Sequence, residues 1–202
     1  MKLVIMTKST FFVEEDKILT TLFDEGMDNL HLFKPGSTPL YAERLLSLIP
    51  EDYYRKITVH DHIYIKNEYD LAGIHLDSAD TEIPNNYKGK IGRTCTDIQM
   101  LKEMKKKSSC VFLKNIFDCI EFSEEKKTFT QQQLEDAADK GLIDRHVYAL
   151  GGMSLDNIRM AKTLGFGGVV ICGDLWSRFD IHNQTDFKEL IAHFEKLRNA
   201  VR

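Results

Sequence analysis

The sequence predicts an eight-fold β/α (TIM) barrel, on three observations. Short apolar runs rich in β-branched residues recur about eight times along the chain. Most are followed by a segment with apolar residues at helical spacing, and such regular alternation argues for a parallel sheet. Two of the runs, near the C-terminal end, stop at glycines, at Gly151-Gly152 and at Gly173. The loops after the seventh and eighth strands of such barrels are a frequent phosphate site. The alternative reading of these glycines is that they only make tight turns. At 202 residues the chain is near the lower size limit for a closed barrel, so a doubly wound open sheet is the alternative fold. No Gly-x-Gly-x-x-Gly turn follows the first strand, which weakens the dinucleotide-binding version of that alternative. Residues 1–202 are read as one domain.

Residues 3–6 form the first strand, and 14–25 a helix with Ile18, Leu19, Leu22 and Phe23 on one face and Gly26 as its stop. Residues 29–33 alternate as the second strand until Lys34-Pro35-Gly36 ends it, and the next helix runs from Pro39 to Leu48. The third strand, 56–59, closes on His60-Asp61-His62, and a short polar segment follows. The fourth, 72–76, closes on Asp77-Ser78-Ala79-Asp80. The fifth, 90–94, leads to a helix over 97–105 that buries Ile98, Leu101 and Met104. The sixth, 109–113, is followed by a long polar loop and a helix over 131–140 stopped by Gly141. The seventh begins near Arg145 and stops at Gly151, a helix carries Ile158, Ala161 and Leu164, and the eighth runs from Val169 towards Gly173. The last helix, 186–198, has Thr185 as its N-cap and Phe187, Leu190, Ile191, Phe194 and Leu197 as its packed stripe.

Composition excludes several classes. Hydrophobic content of 43% and charged content of 29% are ordinary for a soluble globular protein. The formal charge of −4 gives no electrostatic case for nucleic acid. Cys95, Cys110, Cys119 and Cys172 contain no Cys-x-x-Cys pair, and Cys110 and Cys172, which sit in apolar runs, read as reduced core residues of a cytoplasmic protein. The apolar run 3–6 is too short for a signal peptide or a spanning helix, so no membrane partner is expected. Homo-oligomerisation is left open.

In a barrel, chemistry sits just after strand C-termini. Those positions hold His31, Lys34, His60, Asp61, His62, Asp77, Asp80, Thr94, Lys114, residues 123–127, Gly151, Gly152 and Cys172, Gly173 and Asp174. Asp61 and Asp80 follow adjacent strands. Carboxylates beside a phosphate-binding rim suit Mg²⁺, which keeps waters and bridges phosphate oxygens; the competing reading is that Asp61 caps a helix and Asp80 begins a turn. His60-Asp61-His62 does not make a zinc site, because neighbouring residues on an extended strand point to opposite faces. His75 reads as a hydrogen-bonded barrel residue, and 105–107 as a solvated cap that suits the helix dipole.

These strand ends, in this order, resemble thiamine phosphate synthases and their thiazole tautomerase relatives. The matches are Asp61, Gly73-Ile74-His75-Leu76 with Asp80, Gly92-x-Thr94, Ala149-Leu150-Gly151-Gly152-Met153 and Gly168-Val169-Val170-Ile171. The resemblance spans the second to the eighth strand. It implies a barrel that joins a hydroxymethylpyrimidine diphosphate to a thiazole phosphate and releases pyrophosphate with Mg²⁺. It further implies that Asp61 and Asp80 hold the metal, that Thr94 stands where a family Ser contacts substrate, and that Lys126 contacts the diphosphate. Ser123 belongs to that same loop, and Gly151, Gly152, Cys172 and Gly173 would hold the thiazole phosphate.

Departures from the family pattern carry equal information. The family's Gln-x-Arg-x-Lys after the second strand reads His31-Leu32-Phe33-Lys34-Pro35 here, its Asn-Asp reads His60-Asp61, and its small segment at the sixth strand end reads Lys114-Asn115. Phe33 cannot supply the bidentate contact of an Arg, which leaves Lys34 as the basic side chain nearest that position. The tautomerase branch expects a His where Thr96 stands. Three readings follow: a synthase with altered substrate contacts, an isomerase with His31 or His60 as base, and a phosphate-binding barrel without turnover.

Overall fold

The computed structural model describes residues 1–78, 81, 83, 85–122, 124–180 and 186–202. Among them, eight parallel strands pair in sequence order: β1 (Lys2–Met6), β2 (Leu30–Leu32), β3 (Ile57–Val59), β4 (Gly73–Leu76), β5 (Lys90–Cys95), β6 (Cys110–Leu113), β7 (Val147–Ala149) and β8 (Gly168–Ile171). β8 closes back on β1, from Lys2 opposite Gly168 to Ile5 opposite Ile171. The closed barrel is the fold the sequence predicts, and closure excludes the open sheet.

Side chains alternate along each strand. Leu3, Ile5, Leu30, Leu32, Ile57, Val59, Ile74, Leu76, Val111 and Leu113 therefore face outward and are buried under the helices. The interior holds a separate, smaller cluster of Val4, Met6, Phe112 and Val170. It also holds histidines, since the His31 and His75 rings lie 4.9 and 4.2 Å from that of Phe112, centroid to centroid.

The helices are α1 (Glu15–Asp24), α2 (Pro39–Leu48), α3 (Ile65–Glu68), α4 (Leu101–Lys106), α5 (Gln131–Asp139), α6 (Ile158–Thr163), α7 (Gly173–Trp176) and α8 (Lys188–Val201). α5 starts on a reciprocal cap in which Thr130 accepts from the Gln133 amide while the Gln133 side chain accepts from the Thr130 amide. Several elements differ from the sequence reading, among them a 3₁₀ helix over Glu51–Lys56 before β3. The polar segment after β3 forms α3, because Ile65 finds a fully buried place. The helix after β5 opens with a 3₁₀ turn, Ile98–Met100, in which Asp97 accepts from the Gln99 amide. The eighth strand stops at Ile171, and Gly173 begins α7, anchored by the Trp176 indole donating to the Met6 carbonyl at 2.8 Å. Thr185, expected to cap the last helix, lies outside the described residues. No helix among the described residues is long and apolar enough to cross a membrane.

Candidate active site

The C-terminal ends of β2 to β5 bring one hydrogen-bonded chain together. Asp77, just past β4, has a side chain 42% exposed at the barrel mouth. Its Oδ2 lies 2.7 Å from His60 Nδ1, and its Oδ1 accepts from the Thr94 hydroxyl at 2.9 Å. Burial disfavours the charge on Asp77, but the His60 and Thr94 hydrogen bonds and the Lys114 charge outweigh it and lower its pKa. An ionised Asp77 can only accept, which fixes the tautomers behind it. His60 Nδ1 donates, so its Nε2 accepts from His31 Nδ1 at 2.9 Å. The Thr94 hydroxyl spends its one proton on Asp77, so His75 Nε2 donates to it at 3.0 Å. His75 Nδ1 is buried without a partner.

The ring nitrogens of His31, His60 and His75 come within 4.8 Å of one another, close enough to raise the question of a metal centre. The His60 and His75 rings stack 4.4 Å apart at 21°, however. Lone pairs lie in the ring planes, so stacked rings do not aim at one ion, and both His60 nitrogens are already engaged. His62 turns elsewhere, its Nε2 2.8 Å from the Ser37 carbonyl.

A second group gathers chain that follows β1, β2 and β3. The Lys34 ammonium donates to Glu15 Oε1 at 2.6 Å and to the Thr10 carbonyl at 2.9 Å, and sits 4.5 Å over the Phe11 ring. Burial lowers the Lys34 pKa against the Glu15 attraction, and burial raises the Glu15 carboxyl to about 7 against the Lys34 charge. The Lys34 backbone amide donates to Asp61 Oδ2 at 2.9 Å. Phe33 fills the mouth instead of reaching across it, with its ring 5.4 Å from that of His60.

The glycine turns form the third group. Gly151 and Gly152 have φ of +98° and +60°, a region that side chains rarely tolerate. The segment between β6 and α5 folds over them as a strap: the Ile116 and Phe117 amides donate to the Leu150 and Gly151 carbonyls at 3.1 and 3.0 Å. A side chain at Gly173 would meet Ile120 at 2.8 Å. Glu121, on the same strap, accepts from Cys172 Sγ at 3.1 Å and from Ser9 Oγ at 3.2 Å. Burial, then the Glu121 charge, pushes the Cys172 thiol well up. The space left between strap and turns is about 40 Å³.

The sequence-derived residues thus fall into these groups. His31, His60 and Thr94 share one network, Lys34 and Asp61 touch through the backbone, and Gly151, Gly152, Cys172 and Gly173 lie under the strap. Lys126 stands apart, its side chain 66% exposed and 3.8 Å from Asp118. Asp80 and Ser123 lie outside the described residues. Asp174 faces away from the mouth, accepting from His193 of α8 at 2.7 Å. Sequence reasoning left Asp77 and Lys114 unassigned although both follow strand ends. It missed Glu15 and Glu121, whose roles depend on chain brought in from α1 and the strap.

The buried histidines set an acid limit to stability. Burial first, then the neighbouring His60, holds both His31 and His75 well below the usual histidine range. The unfolded chain binds protons there near pH 6.5 while the folded chain does not, so stability is present above that pH and is lost as pH falls. Two such groups give a slope of up to about 2.7 kcal/mol per pH unit. Glu15, with its folded pKa raised to about 7, opposes one of them: its contribution is present below the ordinary carboxyl value of 4.5 and is lost as pH rises through 7. Urea unfolding of His31→Gln between pH 5 and 7 should show the slope flattened by about 1.4 kcal/mol per unit. An unchanged slope would mean that His31 takes up its proton in the folded state.

A closed eight-stranded barrel with its polar and titratable side chains gathered at the C-terminal mouth is the architecture of a barrel enzyme. Over 99% of its length, and 97% of the other chain's, the protein is 43% identical to a crystal structure of thiamine phosphate pyrophosphorylase from Bacteroides thetaiotaomicron, with a TM-score of 0.90. The chain belongs to the thiamine phosphate pyrophosphorylase family, a family of thiamine-biosynthetic transferases. The thiamine phosphate pyrophosphorylase of Pyrococcus furiosus, 17% identical with a TM-score of 0.74 over 99% of this chain and 95% of that one, shares the fold. So does 3-hexulose-6-phosphate synthase, 15% identical with a TM-score of 0.64 over the full length of both chains. No family model and no curated protein matches the sequence.

Proposed function

We propose that this chain joins hydroxymethylpyrimidine diphosphate to a thiazole phosphate and releases pyrophosphate. The observation that carries this reading is full-length identity of 43% to a thiamine phosphate pyrophosphorylase of the same fold. In this reading Thr94 contacts the pyrimidine substrate beside Asp77, and His31 and His60 replace the family's amide side chains behind it. Lys126 reaches the diphosphate from the strap, with Ser123 beside it, and Lys34 supplies positive charge only if it leaves Glu15. Gly151, Gly152, Cys172 and Gly173 hold the thiazole phosphate once the strap lifts.

Asp61 fits a magnesium ligand. It is a hard oxygen donor at the rim, and among the described residues only its Oδ2 is engaged, by the Lys34 amide. Asp61 and Asp80 would hold the ion. Mg²⁺ supplies neutralising charge for the departing pyrophosphate.

A second reading, a thiazole tautomerase-like isomerase, draws support from one arrangement. The Asp77–His60–His31 chain joins a carboxylate at the mouth to two imidazoles, groups suited to moving a proton. A pyrophosphate-release assay with both synthase substrates, with Mg²⁺ and with a chelator, separates the two. Metal-dependent release supports the transferase; isomerisation of the thiazole without release supports the isomerase. Gly173→Asp should abolish thiazole phosphate binding in calorimetry, because it adds a charge and pushes on Ile120. Unchanged affinity would place the phosphate elsewhere.

A further inference from the structure

At the opposite, N-terminal end of the barrel a cavity of about 290 Å³ opens to solvent. It exists because small residues line the wall at this level: Thr58 on β3, Ala72 just before β4 and Gly92 on β5. Barrels of this kind normally fill their interior with layers of bulky branched side chains. His31 also lines the cavity, although the residue as a whole is only 3% exposed. Its Nδ1 is spent on His60, so Nε2 is the nitrogen left for the cavity, and it has no hydrogen-bond partner among the described residues. In the tautomer fixed from Asp77 that nitrogen carries a lone pair and no proton, so it can only accept. Lys2 and Lys90 stand on the rim, both exposed and without an ion pair among the described residues. Lys56 adds a further cation, and Arg55 stands beside it already paired with Asp70, against Asp28 as the acidic residue of the lining.

We infer that this cavity is a second ligand site, for a small oxyanion that also carries a hydroxyl, such as hydrogen phosphate. The cations draw the negative charge, and the ligand's hydroxyl donates to His31 Nε2. An anion that brings only lone pairs would meet the lone pair of His31 and be repelled. The site is separate from the mouth and depends on neither reading of the reaction.

The test uses the intact chain with inorganic phosphate and, as the contrasting probe, sulfate, which has no hydroxyl at neutral pH. Long-range ¹H–¹⁵N correlation spectra of the histidine rings report the His31 nitrogens directly. The expected result is a saturable shift of His31 Nε2 with phosphate that persists in the mouth variant Gly173→Asp. Sulfate should bind at least about ten-fold more weakly, the lost hydrogen bond amounting to roughly 1.4 kcal/mol. Ala72→Met, which fills the cavity, should abolish the shift while the thermal midpoint and circular dichroism confirm the fold. If that variant does not fold, Lys90→Glu reads the same site from the rim and should weaken phosphate at least about ten-fold. Three results would overturn the proposal: an unmoved His31 signal at millimolar phosphate, a shift lost with Gly173→Asp and kept with both cavity variants, or equal affinity for sulfate and phosphate.

Discussion

Phe33→Arg combined with Pro35→Lys should raise pyrophosphate release about a hundredfold, measured with both substrates and Mg²⁺. A donor aimed at charge that develops in the transition state is worth roughly 3 kcal/mol of barrier, which converts to that factor. At present the second strand end offers no such donor. Phe33 packs its ring against His60, and Pro35 has neither a charge nor an amide proton. Lys34, the basic residue between them, is held by Glu15 and the Thr10 carbonyl, so its charge is already answered inside the protein. Arg at position 33 would start from the side of the strand that faces the mouth. Wild-type protein that already turns over as fast as relatives with an intact Gln-x-Arg-x-Lys end would sink this expectation, and would show that another clamp works in its place.

Glu15→Ala should destabilise the protein by about 3–5 kcal/mol, the cost of leaving a buried charge without its partner. The two side chains are 2% and 1% exposed, so water cannot take over for Glu15. The pair itself contributes far less than that figure, because burying two charges offsets most of their attraction. Glu15→Leu with Lys34→Met should therefore recover most of the loss. Urea denaturation of both variants measures this. A loss below about 1 kcal/mol for Glu15→Ala would mean that Lys34 swings out to solvent.

The barrel was legible because its signals are local. β-branched runs, helical stripes and glycine stops repeat in register with the fold, and helix α2 ends where Pro50 and the apolar spacing say it should. Strand ends gave most of the mouth for the same reason. What the sequence could not supply was partnership across the barrel. Nothing near Lys34 announces that its charge is met by Glu15, nineteen residues earlier on α1. The helical spacing of 14–25 marks a packed face but not a buried carboxylate. Asp77 stands at a strand end like Asp61, yet its importance comes from His60 and Thr94, which other strands deliver. The polar loop after β6 gave no sign that Ile120 and Glu121 would fold back over Gly173 and Cys172, because a loop's path depends on what it covers.

The tautomer chain at the mouth also constrains how this sequence can have diverged. His31 and His60 stand where the resembling synthases carry Gln and Asn, and here each ring is bonded to the other. Changing either alone risks leaving a buried nitrogen unsatisfied, at a cost of about 1–3 kcal/mol. Asp77 in turn fixes which His60 nitrogen bears the proton. An amide pair and the present imidazole pair are thus two self-consistent solutions separated by poor single-step intermediates. Exchange is expected to succeed only when the positions change as a block, and grafting one of these histidines into a relative should fail where grafting His31, His60 and Asp77 together succeeds.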